Sequence, residues 1–144
     1  MAAGLTIESA HIPAFVDSVE ATVAQRTSPD DFVPVRRVDC ETSLSAIDRE
    51  CINDLERLEP YGVGNPQPLF MARQVGVRAR RVVGESHLKL LLEQDGRTLP
   101  AIGFGMSDQP VGEGDRLDIL FSPMLSTWQG NTTLELRLLD VRRN

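Results

Sequence analysis

The chain has 144 residues, long enough to bury a core as one domain or as a small domain with an appendage, and a formal charge of −6. That balance argues against a freestanding basic nucleic-acid binder, but it is uneven. Residues 1–60 hold 12 acidic and 5 basic side chains (net −7) and residues 61–144 hold 9 and 10 (net +1), so any polyanion partner belongs to the second part. Cys40 and Cys51 have no His or Cys cluster beside them, which argues against a zinc site and a disulfide framework. Reduced thiols, no secretory pattern and no apolar run near about 18 residues point to a cytoplasmic protein outside the membrane.

Ile12, Phe15, Val16, Val19 and Val23 recur at three- and four-residue steps, which predicts a helix over 8–26 with one apolar face. Ser28 as a cap with Pro29 at the first position predicts a short turn. Val33 to Glu41 alternates as a strand, with Val33, Val35 and Val38 inward. Ser45 with Asp48 three residues on resembles a capping box for a second helix at 46–58, whose buried side is Ile47, Cys51, Leu55 and Leu58.

Pro60, Pro66 and Pro68 then remove three backbone donors, and Gly62 and Gly64 permit positive φ, so neither a helix nor a central strand passes through 59–69. Asn65 before Pro66 favours a turn. Beyond this stiff connector the apolar period changes to two. Strands are expected at Phe70–Val83 (Val75, Val77 and Ala79 one way; Gln74, Arg78 and Arg80 the other), His87–Glu93, Thr98–Phe104, Arg116–Ser122 and Thr133–Val141, the last with Glu135 and Arg137 outward. Asp95-Gly96 is a hairpin signal. Five strands, the first long and bent, with a longer loop between the third and fourth, predict a five-stranded Greek-key barrel of the OB type. The fold class is thus mainly β with two helices, an N-terminal helix–strand–helix segment preceding the barrel.

Four motifs stand at characteristic spacing: Leu58-Glu-Pro-Tyr-Gly-Val-Gly-Asn-Pro-Gln-Pro-Leu-Phe70, His87-Leu-Lys-Leu90, Ala101-Ile-Gly-Phe-Gly-Met106, and Leu134-Glu-Leu-Arg-Leu-Leu-Asp-Val-Arg142. Together they resemble the C-terminal part of the bacterial RecJ family of single-strand-specific 5′→3′ DNA exonucleases, and residues 1–7 resemble the tail of its Gly-Gly-His motif. Tyr61 stands where that family usually has Phe. The resemblance implies that residues 1–30 are a DHHA1-domain remnant, 31–58 a strand–helix segment, 59–69 the connector and 70–144 the OB module. It also implies roles in DNA repair and recombination, and a connector (Pro60, Tyr61, Gly62, Gly64, Asn65, Pro66, Pro68) that orients the two domains. The Asp-His-His motifs that hold the family's Mn or Mg ions are absent, as is the Gly-Gly-His, so the chain is expected to be a fragment without catalytic activity, cofactor or metal of its own.

Metal-assisted phosphodiester hydrolysis needs clustered carboxylates and histidines; His11 and His87 are the only histidines and fall on different elements. Single-strand binding needs cations along the phosphates and aromatic faces for the bases. The candidate cations are Arg78, Arg80, Arg81, His87, Lys89, Arg97 and Arg137; the candidate stacking rings are Trp128 and Phe104. The loops expected to join strands one to two and four to five are Gly84–Ser86 and about Thr127–Asn131. Other roles stay open: Trp128 as a plug at a barrel end, Phe104 as core, the arginines as partners of Glu85 or Glu93. Single-stranded DNA is the expected partner. The alternative is a protein-docking module that recruits repair or replication proteins such as a single-strand-binding protein.

Overall fold

The computed structural model describes residues 4–144, apart from the side chain of Trp128. The alternation after the connector folds into five strands: β2 (Phe70–Val83), β3 (His87–Gln94), β4 (Arg97–Gly103), β5 (Arg116–Trp128) and β6 (Asn131–Arg143), with a short β1 (Cys40–Glu41) before them. The order β2-β3-β4-β6-β5, with β5 pairing back onto β2, closes a barrel. All its pairings are antiparallel except β4 with β6. This is the five-stranded OB-type barrel that the periodicity predicts. Leu88, Leu92, Leu117, Ile119, Phe121 and Leu136 fill its interior at 2% exposure or less, each contributing about 1.5–3 kcal/mol of apolar burial.

Two bulges set the phase of β2. Ala72 and Val75 are both buried because the register slips between them, with Gln74 at φ 56°. A second slip, at Arg78, puts Ala79 opposite Leu91, Arg80 opposite Leu90 and Arg81 opposite Lys89. The extra residue inverts the expected alternation. Ala79 therefore lies on the outer side with Arg81, and Arg80 shares the register of the inward Leu90.

β5 and β6 run past the expected Ser122 and start before the expected Thr133, meeting at a two-residue turn. Gln129 and Gly130 both have positive φ (49° and 81°), the conformation of a type I′ hairpin. Glu135 is on the outer side as expected but is buried.

Only Cys40 and Glu41 of the expected strand Val33–Glu41 join the sheet, parallel to Phe70 and Met71. Pro34 breaks any longer ladder, and Val33, Val35 and Val38 are exposed rather than inward. The second helix, α2, is Arg49–Glu56. Its cap is Asp48, which accepts from the Cys51 N–H at 2.8 Å, while Ser45 lies in a preceding 3-10 turn. The helix ends before Leu58, which is exposed, and Ile52 is its buried residue. Leu44 and Ile47 plug into the barrel core.

The Pro/Gly stretch folds on itself and onto α2. Tyr61 Oη donates to the Leu55 carbonyl at 2.6 Å, Asn65 Nδ2 to those of Leu58 (2.8 Å) and Pro60 (3.1 Å), and Gly62 and Asn65 exchange backbone bonds. The Glu59–Pro60 peptide is cis.

The chain divides into two compact units, Met1–Arg36 and Arg37–Asn144, so the Pro/Gly stretch lies inside the second. The first unit carries α1 (Ile12–Arg26) and a turn at Pro29–Phe32, where the Asp31 carboxylate accepts from the Ser28 N–H at 2.7 Å. The apolar row on α1 is aligned as expected and exposed. Among the described residues no helix is long and apolar enough to cross a membrane.

Candidate nucleic-acid interface

Inward leucines at 88, 90 and 92 turn His87, Lys89 and Leu91 to the outer side of β3, and Ala101 and Gly103 do the same for Pro100, Ile102 and Phe104 along β4. Register then builds rungs across the barrel. One is Arg81–Lys89–Ile102–Arg137, running over β2, β3, β4 and β6 without a break.

Beside it lies an aromatic end. Phe104 is 51% exposed, so it is not the core residue its type suggests. The His87 ring meets it edge-on, with centroids 5.1 Å apart at 72°, and the Arg137 guanidinium carbon stands 5.8 Å from its centroid on the other side. That is within the range of a cation–π contact. His87 Nδ1 accepts from the Gly105 N–H at 3.2 Å, which leaves Nε2 as the N–H of the neutral ring.

Gly103 makes this turn possible. A Cβ there would come 2.5 Å from Met106 Sδ and 3.1 Å from Met106 Cβ. Met106 occupies that space against the core and folds the chain back, with Gly105 at φ 67°, directly after Phe104 has pointed outward.

Of the predicted residues, Arg81, His87, Lys89, Phe104 and Arg137 therefore come together. Three others are placed elsewhere. Arg78 pairs with Glu93 near the opposite end of β3. Arg80 donates to the Ser107 carbonyl at 2.9 Å and fastens the loop after β4. Arg97, at the far end of β4, reaches the Ile47 carbonyl at 3.4 Å. Trp128 ends β5 opposite Asn131; its side chain lies outside the described part. The sequence reading missed Glu135, whose Oε1 is 3.0 Å from Lys89 Nζ, and the apolar outer residues Ala79, Leu91, Pro100 and Ile102. Only the pairing register could have shown them.

Among the described residues no three His, Cys, Asp or Glu side chains gather as metal ligands.

A family profile described as the RecJ OB domain matches residues 38–140. The chain is 31% identical, over 99% of its length, to the single-stranded-DNA-specific exonuclease RecJ of Thermus thermophilus, and 24% identical, over 98%, to that of Bacillus subtilis. It spans about a fifth of those relatives, 20% and 18% respectively. The crystal structure of RecJ in complex with Mn2+ from Thermus thermophilus superposes with a TM-score of 0.78 at 25% identity, covering 98% of this chain and 20% of that one. With the barrel's strand order and the matched span in agreement, the chain belongs to the RecJ OB-domain family.

Proposed function

We propose that this chain is the single-stranded-DNA-binding module of a RecJ-like 5′→3′ exonuclease acting in DNA repair and recombination, and that it captures the strand without contributing a catalytic group. One observation carries the reading: an exposed phenylalanine held between His87 and Arg137 beside a cationic rung. An aromatic face beside phosphate-seeking cations is the chemistry single strands require. It lies where OB barrels bind, on the second and third barrel strands (here β3 and β4) and near the loop joining the first two. The relatives' name, single-stranded-DNA-specific exonuclease, agrees with that ligand.

The test is fluorescence anisotropy of a labelled single-stranded oligonucleotide at several salt concentrations, against a duplex and a matched ribo-oligonucleotide. Three cations, Arg81, Lys89 and Arg137, would give a log–log salt slope of about −2 at most, from about −0.7 per phosphate. Preference for the single deoxy strand with a measurable salt slope supports the module. No binding at low salt transfers the reading to protein docking, with a single-strand-binding protein as the first partner to try.

A further inference from the structure

The outer side of the barrel also carries an apolar hollow that the aromatic end does not use. Ala79 stands opposite Leu91 and Leu91 opposite Pro100, forming a rung across β2, β3 and β4. These side chains line a notch of about 280 Å³, together with Arg80, Arg81, Lys89 and Leu90. The bulge at Arg78 shapes the hollow, because it sets the small Ala79 opposite Leu91 on the outer side. One exposed leucine would mean little. An alanine, a leucine and a proline sharing one rung with three cations in the lining form a shaped recess.

The two rungs and the aromatic ring have an order. Pro100 and Ile102 follow one another along the outer side of β4 and Phe104 comes in the turn just past its end, so the notch and the ring are at most about 13 Å apart, with the cationic rung between them. A strand whose bases occupy both places carries the phosphates between them over Lys89 and Arg137. We propose that the notch receives a second base of the bound strand, with the cationic rung holding the phosphates between the two bases. This rests on the single-strand reading above and deepens it.

The experiment is anisotropy with the shortest oligodeoxythymidylate that saturates binding, carrying one abasic residue moved along the strand. It is run with the wild-type chain, Ala79→Leu to fill the notch, Leu91→Ser to remove its wall, and Phe104→Ala. The wild type is expected to show two sensitive positions, each losing about 5- to 150-fold in affinity. Ala79→Leu is expected to weaken the intact strand by a similar factor and to erase one of the two penalties; Phe104→Ala should erase the other. Leu91→Ser, at a position 39% exposed, repeats the test without adding bulk. Intact-strand affinity unchanged in both notch variants, or a single sensitive position in the wild type, overturns the second base site and leaves the aromatic site standing. A wild-type chain that binds no single strand overturns the parent reading instead.

Discussion

Lys89 Nζ lies 3.0 Å from Oε1 of Glu135, a carboxylate only 4% exposed on the outer side of the barrel. That oxygen has no hydrogen bond, so the charge of Lys89 is what balances it. The only lysine of the chain is thereby held, and partly neutralised, in the middle of the cationic rung. Glu135→Gln is expected to release the ammonium toward phosphate, tightening single-strand binding and steepening the salt slope by about 0.7. Stability should fall by only about 1–2 kcal/mol, because Lys89 retains access to water. Lys89→Met should cost more, about 3 kcal/mol, since it leaves a buried carboxylate uncompensated. Urea unfolding of both variants, with salt titrations of binding, checks the order.

Phe104 and Arg137 are expected to act as a pair. Phe104→Ala removes a half-exposed ring and should change stability by less than about 1 kcal/mol, yet lower single-strand affinity about 5- to 150-fold. Arg137→Ala removes a phosphate partner and the cation over the ring. A double-mutant cycle should give a coupling of about 0.5–1 kcal/mol in binding free energy. Strictly additive losses would mean that the guanidinium does not organise the ring for stacking.

The sequence made the barrel legible because five alternating runs, a hairpin signal and a long loop leave few topologies open. It named Phe104, His87, Lys89 and Arg137 as candidates for base and phosphate contacts, and the register sets them side by side. What it hid is phase. A bulge adds one residue without a composition signal, so Arg80 and Arg81 exchanged roles once Arg78 dropped out of register. Burial of a charge was hidden for the same reason: Glu135 alternates with inward leucines and reads as solvated until its contact with Lys89 across the rung is known. The strand over 33–41 failed for a different cause, since alternation of valines says nothing about whether a partner strand is within reach.

Asp118 ties the bulged start of β2 to the end of the chain. Its carboxylate accepts from Asn144 Nδ2 at 2.7 Å and from the Gln74 N–H at 3.0 Å, with Arg73 3.6 Å away. The Asn144 bond first, then the Gln74 N–H, then the nearby Arg73 and Arg142 hold this carboxyl below its ordinary 3.8. A depressed folded value means stability that is present above the unfolded pKa and is lost as pH falls through the folded one. Asp118→Asn keeps an acceptor but not the charge, and should cost about 1 kcal/mol at neutral pH. Below about pH 4 the wild type should lose that advantage, so the two unfolding midpoints converge. A gap that stays constant down to acid pH would show that the charge is not what holds this corner.

Tyr61 offers the mirror case at alkaline pH. Its Oη donates to the Leu55 carbonyl at 2.6 Å, closing the Pro/Gly stretch onto α2, and only the neutral phenol can make that bond. Partial burial first, then Glu59 and Glu56, raise its pKa above the ordinary 10.0. The sign follows: a folded value above the unfolded one gives stability that is complete below the unfolded pKa and drains as pH rises through the folded pKa. Tyr61 is the only tyrosine of the chain, so its tyrosinate absorbance reports this site alone. The expected result is a midpoint above that of the same chain in denaturant, with stability declining over that interval. Tyr61→Phe should lose about 1 kcal/mol at neutral pH and flatten the alkaline decline. Equal midpoints in the folded and unfolded chain would mean that the hydroxyl stays in water and that Asn65 alone closes the turn.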